Sequence, residues 1–205
     1  MDAKEGAELS RIAYLPQHER ADAAGRLGYS IDSQDDDRVL FSKDGQGVLA
    51  FRGTDLKRPK NAWRDLLTDA AVLVGKAERT PRYLASEDAY TRAVQSKKYK
   101  SVKAVGHSLG GHQAIHIAKT FGAEAHAYNP AASIPDIARG IRDKIFGSPA
   151  KRATSYITSQ DPISIGTIHW VNQDRVYTVY RPCNRFTGCT GPYKIHSSCK
   201  GLQGL

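Results

Sequence analysis

Cysteine is scarce and late in this chain: Cys183, Cys189 and Cys199 are the only three among 205 residues. So few thiols exclude a disulfide-stapled scaffold, and their spacing matches no zinc-binding pattern, so no metal is expected. Reduced thiols are the favoured reading, although Cys183 and Cys189 flank a glycine-bearing loop that could close a small disulfide. Long apolar runs are missing as well. Residues 1–9 have no apolar core of the kind that directs secretion, and no later stretch nears the roughly 20 apolar residues that cross a bilayer. The expected location is cytoplasmic, or one reached by a non-Sec route. Acidic side chains are in deficit, 21 against 30 Lys and Arg, which leaves a formal charge of +9. That balance favours anionic surfaces such as acidic lipid. No recognised nucleic-acid motif accompanies it, so no nucleic-acid partner is expected. No internal repeat or low-complexity tract divides the chain, and residues 1–205 read as one domain, with the oligomeric state open.

What is present centres on residues 102–112. Gly106-His-Ser-Leu-Gly110 fits the G-x-S-x-G pattern, in which small flanking residues let the backbone fold tightly enough to expose a serine hydroxyl. In a chain with 18 glycines the pattern could arise by chance, so its surroundings must decide. Residues 102–105 read as a short buried strand. Ala114, Ile115, Ala118 and Phe121 then recur at helical spacing up to Gly122, a C-cap. Strand, tight turn, helix is the order such a serine requires. A hydroxyl is a weak nucleophile near neutral pH, so Ser108 implies a base to take its proton and donors for a developing oxyanion.

The rest of the chain supplies alternating elements. Residues 3–15 suggest an amphipathic opening helix, and residues 38–42 and 47–51 two strands joined by Asp44-Gly45, a strong hairpin signal. Residues 55–69 read as a loop that becomes helical, 86–96 as a surface helix, and 97–103 as a basic run at the start of the central strand. Strands are expected over 124–128, 154–158 and 175–180. Residues 133–145 carry an apolar stripe of Ile134, Ile137, Ala138, Ile141 and Ile145, which predicts an amphipathic helix. This alternation predicts an α/β fold, with a central, mostly parallel sheet flanked by helices and an N-terminal antiparallel hairpin.

Partners for Ser108 should come from the ends of later strands. Asp161, before Pro162, sits where such a strand ends. In the chain order serine, acid, histidine, the base then follows Asp161, which leaves His169, beside a strand region, and His196, in a C-terminal loop with more freedom to reach the serine. His107 precedes the serine and is read as structural. His112 and His116, four apart on one helix, lack a third ligand candidate and read as helix-surface residues rather than a metal pair.

Taken in order, residues 48–54, 63–69, 106–111, 161–163 and His196 resemble the class 3 (fungal-type) lipases of the α/β-hydrolase superfamily. The resemblance implies a cofactor-free serine lipase or esterase that acts on lipid carboxylic esters, either acylglycerols or phospholipid acyl bonds. It implies Ser108 as nucleophile, His196 as base and Asp161 as the group that orients it. The backbone N–H groups of Thr54 and Leu109 would form the oxyanion hole. Residues 55–67 would be a lid, with Lys57, Arg58 and Lys60 meeting anionic headgroups and Trp63 sitting at headgroup depth, the alternative being an ordinary solvated loop with Trp63 packed inward as a core residue. The alternative is a non-catalytic protein of the same fold that binds acidic lipid or a protein partner. Against the family pattern, Tyr128-Asn-Pro-Ala-Ala132 replaces the usual small-residue run, which leaves the acyl pocket undefined.

Overall fold

The computed structural model describes residues 1–53, 80–131, 152–158 and 175–179, the side chains of Thr158 and of 175–179 excepted. The expected helix over 133–145 and the loop of residues 55–69 lie outside the described residues.

The N-terminal helix α1 (Ala3–Ile12) starts where Asp2, in an extended conformation, accepts a hydrogen bond from the Glu5 N–H at 2.7 Å. This satisfies one of the donors that a helix start leaves unpaired. One face of α1 buries Leu9 and Ile12. A second helix, α2 (Gln17–Gly25), follows Pro16 and tucks Ala23 and Ala24 into the same core. Its Arg20 is 1% exposed and donates to the carbonyls of Ala13, Leu15 and Asp35, so one guanidinium ties the end of α1 to the loop after the next strand. Three carbonyl partners offset the desolvation that burial of this charge costs.

Among the described residues seven strands form one sheet in chain order: β1 (Ser30–Gln34), β2 (Arg38–Lys43), β3 (Gln46–Phe51), β4 (Ser101–His107), β5 (Ala125–Tyr128), β6 (Ala153–Thr158) and β7 (Arg175–Val179). The pairs β1–β2 and β2–β3 are antiparallel, and every pair from β3 to β7 is parallel. The expected hairpin is present. Lys43 pairs with Gln46, and Asp44 and Gly45 make the two-residue turn with φ of 51° and 74°. Positive φ at both positions is what a tight hairpin needs to match the twist of its strands.

Period-two alternation divides the core between the two faces of the sheet. Val39, Phe41, Val48, Ala50 and Val105 pack with Leu9, Ile12, Ala23 and Ala24 of α1 and α2. On the other face Leu40, Leu49, Phe51, Val102 and Ala104 meet Tyr90 and Ala93 of α3 (Pro81–Gln95) and Ala114, Ile115, Ile117 and Ala118 of α4 (Leu109–Phe121). Each fully buried Val, Leu, Ile or Phe side chain among these contributes about 1.5–3 kcal/mol over leaving it exposed. The architecture is therefore α/β, a mixed, mostly parallel sheet with helices on both faces. Among the described residues no helix is long and apolar enough to cross a membrane.

At the amino-terminal ends of the strands the basic run is tied into the surface. Lys98 pairs with Asp32 at 2.7 Å, Lys103 with Glu124 at 2.8 Å, and the Lys100 N–H donates to the Gly45 carbonyl at 2.7 Å. It lies at the opposite end of β4 from Ser108, as expected. Beside it, on the α1 face, His126 stacks on Tyr156 with ring centroids 5.9 Å apart, and Tyr156 stacks on Tyr128 at 5.0 Å. Neutral His126 is satisfied on both nitrogens: Nε2–H donates to Glu124 and Nδ1 accepts from the Tyr156 hydroxyl.

Burial pushes the His126 pKa down, with nearby Lys103 and the N-terminal amine adding to this and Glu124 opposing it. A depressed folded-state pKa gives stability that is complete above the ordinary value of about 6.5 and is lost as pH falls toward the folded value. The wild type should thus lose thermal stability as the pH falls through and below about 6.5. His126→Gln should show a shallower loss over that window. Equal slopes for the two proteins in melts across this range would contradict the assignment.

Candidate active site

The backbone turns sharply where β4 meets α4, and Ser108 is the residue that turns it, with φ 57° and ψ −124°. An L-residue at such a φ costs roughly 1–3 kcal/mol and persists only when its surroundings over-determine it. Here they do. The Ser108 N–H donates to the Tyr128 carbonyl at 3.0 Å, and the Ser108 carbonyl accepts from the N–H groups of His112 and Ala131, each at 3.1 Å. Three segments, the end of β5, the loop after it and the first turn of α4, hold one strained residue.

The glycines of the motif are there for space. A Cβ on Gly106 would lie 2.2 Å from the Gly110 carbonyl oxygen, and one on Gly110 would lie 2.1 Å from the Phe51 oxygen. A Cβ on Gly111 would approach the Gly106 oxygen at 3.0 Å and Pro130 at 3.2 Å. Helix α4 can therefore start hard against β3, β4 and the loop after β5, and its N-terminus comes up beneath Ser108. The first turn of α4 carries no acidic residue, so the positive end of its dipole is not offset by its own side chains. Leu109 is the first residue of that helix and is 1% exposed. Its N–H belongs to the group that a helix start leaves without an intrahelical partner. Ser108 does not use its side chain to cap the helix.

The other wall is the end of β3. Gly53 is so close that an added Cβ would lie 3.3 Å from the Ser108 Cβ and 2.8 Å from the His107 carbonyl oxygen. Its N–H donates to the Tyr14 hydroxyl at 3.0 Å. Tyr14 Oη is 3.2 Å from both the carbonyl oxygen and Nδ1 of His107, and the two rings meet edge to face. His107, 5% exposed, is thus packed into the wall, in keeping with its structural reading. Arg52, one residue earlier, has its carbonyl bonded by Arg82 and its N–H bonded to the Asp37 carbonyl. Asn129, with φ 42° and 5% exposure, turns the chain at the end of β5, and its N–H donates to the Tyr156 carbonyl.

Of the residues singled out from sequence, Ser108 and Leu109 are brought together at the carboxyl end of β4. Thr54, Lys57, Arg58, Lys60, Trp63, Asp161, His169 and His196 lie outside the described residues, as do the three cysteines. Strand β6, upstream of Asp161, is parallel to β4 and ends at Thr158 on the same edge of the sheet as Ser108. The reading of His112 and His116 as surface residues needs correction. Helix α3 covers them: His112 is 7% exposed with Nδ1 bonded to the Tyr83 hydroxyl, and His116 Nε2 lies 2.7 Å from Glu87. Tyr83 stands edge-on to both rings. The histidines line a polar seam between α3 and α4, each with its own partner. Sequence reading missed Tyr14, Arg82 and Asn129, for which no local motif exists.

No protein-family model matches the chain, and no curated protein matches it significantly.

Proposed function

We propose that this protein is a serine esterase of the α/β-hydrolase fold, resembling the class 3 lipases, that cleaves carboxylic esters of lipids through an acyl-enzyme. The observation that carries the reading is Ser108 at φ 57°, ψ −124°, between a parallel strand and a helix N-terminus. A strained non-glycine residue at that point serves no need of the fold, since glycine would adopt the same turn at less cost. Its use is to hold a hydroxyl above a cluster of backbone donors.

In this mechanism Ser108 Oγ attacks the ester carbonyl while His196 takes its proton. The tetrahedral oxyanion is held by the N–H of Leu109, at the positive end of α4, and by that of Thr54. His196 returns the proton to the leaving alcohol, giving the acyl-enzyme. Water, deprotonated by the same histidine, then releases the acid. Asp161 orients the imidazole and stabilises its charged form.

Hydrolysis of a panel of short- and long-chain acyl esters, acylglycerols and phospholipids tests the reading. The wild type should hydrolyse at least one class. His196→Ala should lose on the order of 10⁴ to 10⁶ in kcat, the usual cost of removing the base from such a triad. His169→Ala should retain activity. A folded but dead His169→Ala beside an active His196→Ala would reassign the base. A wild type inert on the whole panel would favour the non-catalytic alternative, a lipid- or protein-binding relative.

A further inference from the structure

The peptide that joins Arg52 to Gly53 is held at both ends by side chains from distant parts of the chain. Arg82 Nη2, in the first turn of α3, donates to the Arg52 carbonyl at 2.5 Å. On the other side the Gly53 N–H donates to Tyr14 Oη, just beyond α1, at 3.0 Å. Each holder is itself fixed. Arg82 Nη2 pairs with Asp37 at 3.0 Å. The Tyr14 hydroxyl meets His107, and the Arg52 guanidinium lies over the Tyr14 ring, 5.9 Å from its centroid. A phenol has one proton to give and two lone pairs. With the His107 proton on Nδ1, the Tyr14 hydroxyl accepts from both Gly53 N–H and Nδ1–H and donates to the His107 carbonyl, so all three contacts are made at once.

This clamp sits where the sheet can no longer position the chain. Phe51 is the last residue of β3 paired with β4, opposite Gly106. The peptide that directly follows the clamped one carries the Thr54 N–H, and Gly53 packs against the Cβ of Ser108. We infer that Tyr14 and Arg82 are positioning residues, which fix the Arg52–Gly53 peptide against Ser108 and so hold the wall beside which the oxyanion at Ser108 forms. The inference rests on the esterase reading and adds two residues to it. Because a misplacement near 1 Å at a reacting centre can cost about a hundredfold in rate, one lost hydroxyl at this clamp should be visible in turnover.

The test is Tyr14→Phe, which keeps the ring and removes the hydroxyl. Steady-state hydrolysis of p-nitrophenyl butyrate should show kcat reduced about ten- to a hundredfold with KM within about twofold of wild type. The second-order rate of Ser108 labelling by an organophosphonate, whose adduct places an oxygen where the oxyanion sits, should fall in parallel. Both are measured well below the melting temperature of the variant, where a role confined to stability leaves them unchanged. Arg82→Met should reproduce the pattern and Arg82→Lys, which keeps a donor, should recover part of it; this pair decides the matter if Tyr14→Phe fails to fold. Wild-type kcat and labelling rates in folded Tyr14→Phe and Arg82→Met would overturn the inference alone, leaving the esterase intact. A wild-type protein that neither turns over ester nor reacts with phosphonate would overturn both.

Discussion

Ser108→Ala is expected to lower kcat for ester hydrolysis by on the order of 10⁴ to 10⁶ and to leave the protein folded. The loss is large because, in the proposed mechanism, the hydroxyl oxygen is the atom that becomes acylated. What survives is the contribution of the oxyanion donors and of substrate binding. The fold should persist because the hydrogen bonds that hold this turn run through the backbone, from Ser108 N–H to Tyr128 and from His112 and Ala131 to the Ser108 carbonyl. Alanine keeps them and keeps the strain. Ser108→Gly provides the control: glycine adopts φ 57° freely, so the variant should be equally inactive yet more stable, by up to about 1–3 kcal/mol less glycine's own entropic cost. Denaturant melts of the two variants measure this. A glycine variant less stable than the alanine one would mean that the turn at Ser108 is not strained.

The second large effect is on folding. Gly106→Ala should destabilise by more than about 4 kcal/mol, at the severe end for single substitutions and a large share of the 5–15 kcal/mol that holds a typical domain together. The new methyl group would meet the Gly110 carbonyl oxygen at 2.2 Å, its carbon at 2.3 Å and the Gly111 nitrogen at 2.7 Å. All three are backbone atoms at the start of α4, and relief would require the helix to move away from β4. That shift would also break the bonds that define the Ser108 turn. Gly122→Ala is the contrast. Gly122 caps α4 with φ 68° and has open space around it, so only the backbone preference of glycine is lost, about 1 kcal/mol. Urea unfolding of both separates steric from conformational cost. A Gly106→Ala protein within about 1 kcal/mol of wild type would show that α4 does not pack on β4 in this way.

The elements that could be read from sequence were those whose burial is periodic. The β2–β3 hairpin, the β4–α4 unit and α1 each show an apolar repeat and a cap or turn residue, and each is present. Helix α2 and strand β1 were not anticipated. Residues 17–25 bury only alanines and the guanidinium of Arg20, so the helix has no apolar stripe to recognise. Residues 30–34, Ser-Ile-Asp-Ser-Gln, form an edge strand with four of its five positions exposed, where alternation carries little signal. Helix α3 starts at Pro81, earlier than the expected 86; proline in the first turn after Thr80 was the available cue.

The same logic divides the site. The turn at Ser108 was legible because its steric demand falls in one contiguous segment: the glycines that admit the turn stand beside the residue that makes it. Tyr14 and Arg82 were not, because their partners lie far off in the chain, 93 residues in the case of His107 and 30 in that of Arg52. His112 and His116 show the limit from the other side. Helical spacing placed them on one face of α4, but nothing in their spacing says that α3 covers that face.

The central claim, that Ser108 is the nucleophile of a serine esterase, is tested most directly by mass spectrometry of the protein after reaction with an organophosphonate ester. A single adduct on the peptide that contains Ser108, absent in Ser108→Ala, is the expected result. Labelling that persists unchanged in Ser108→Ala, or an adduct on any other residue in the wild type, would contradict it.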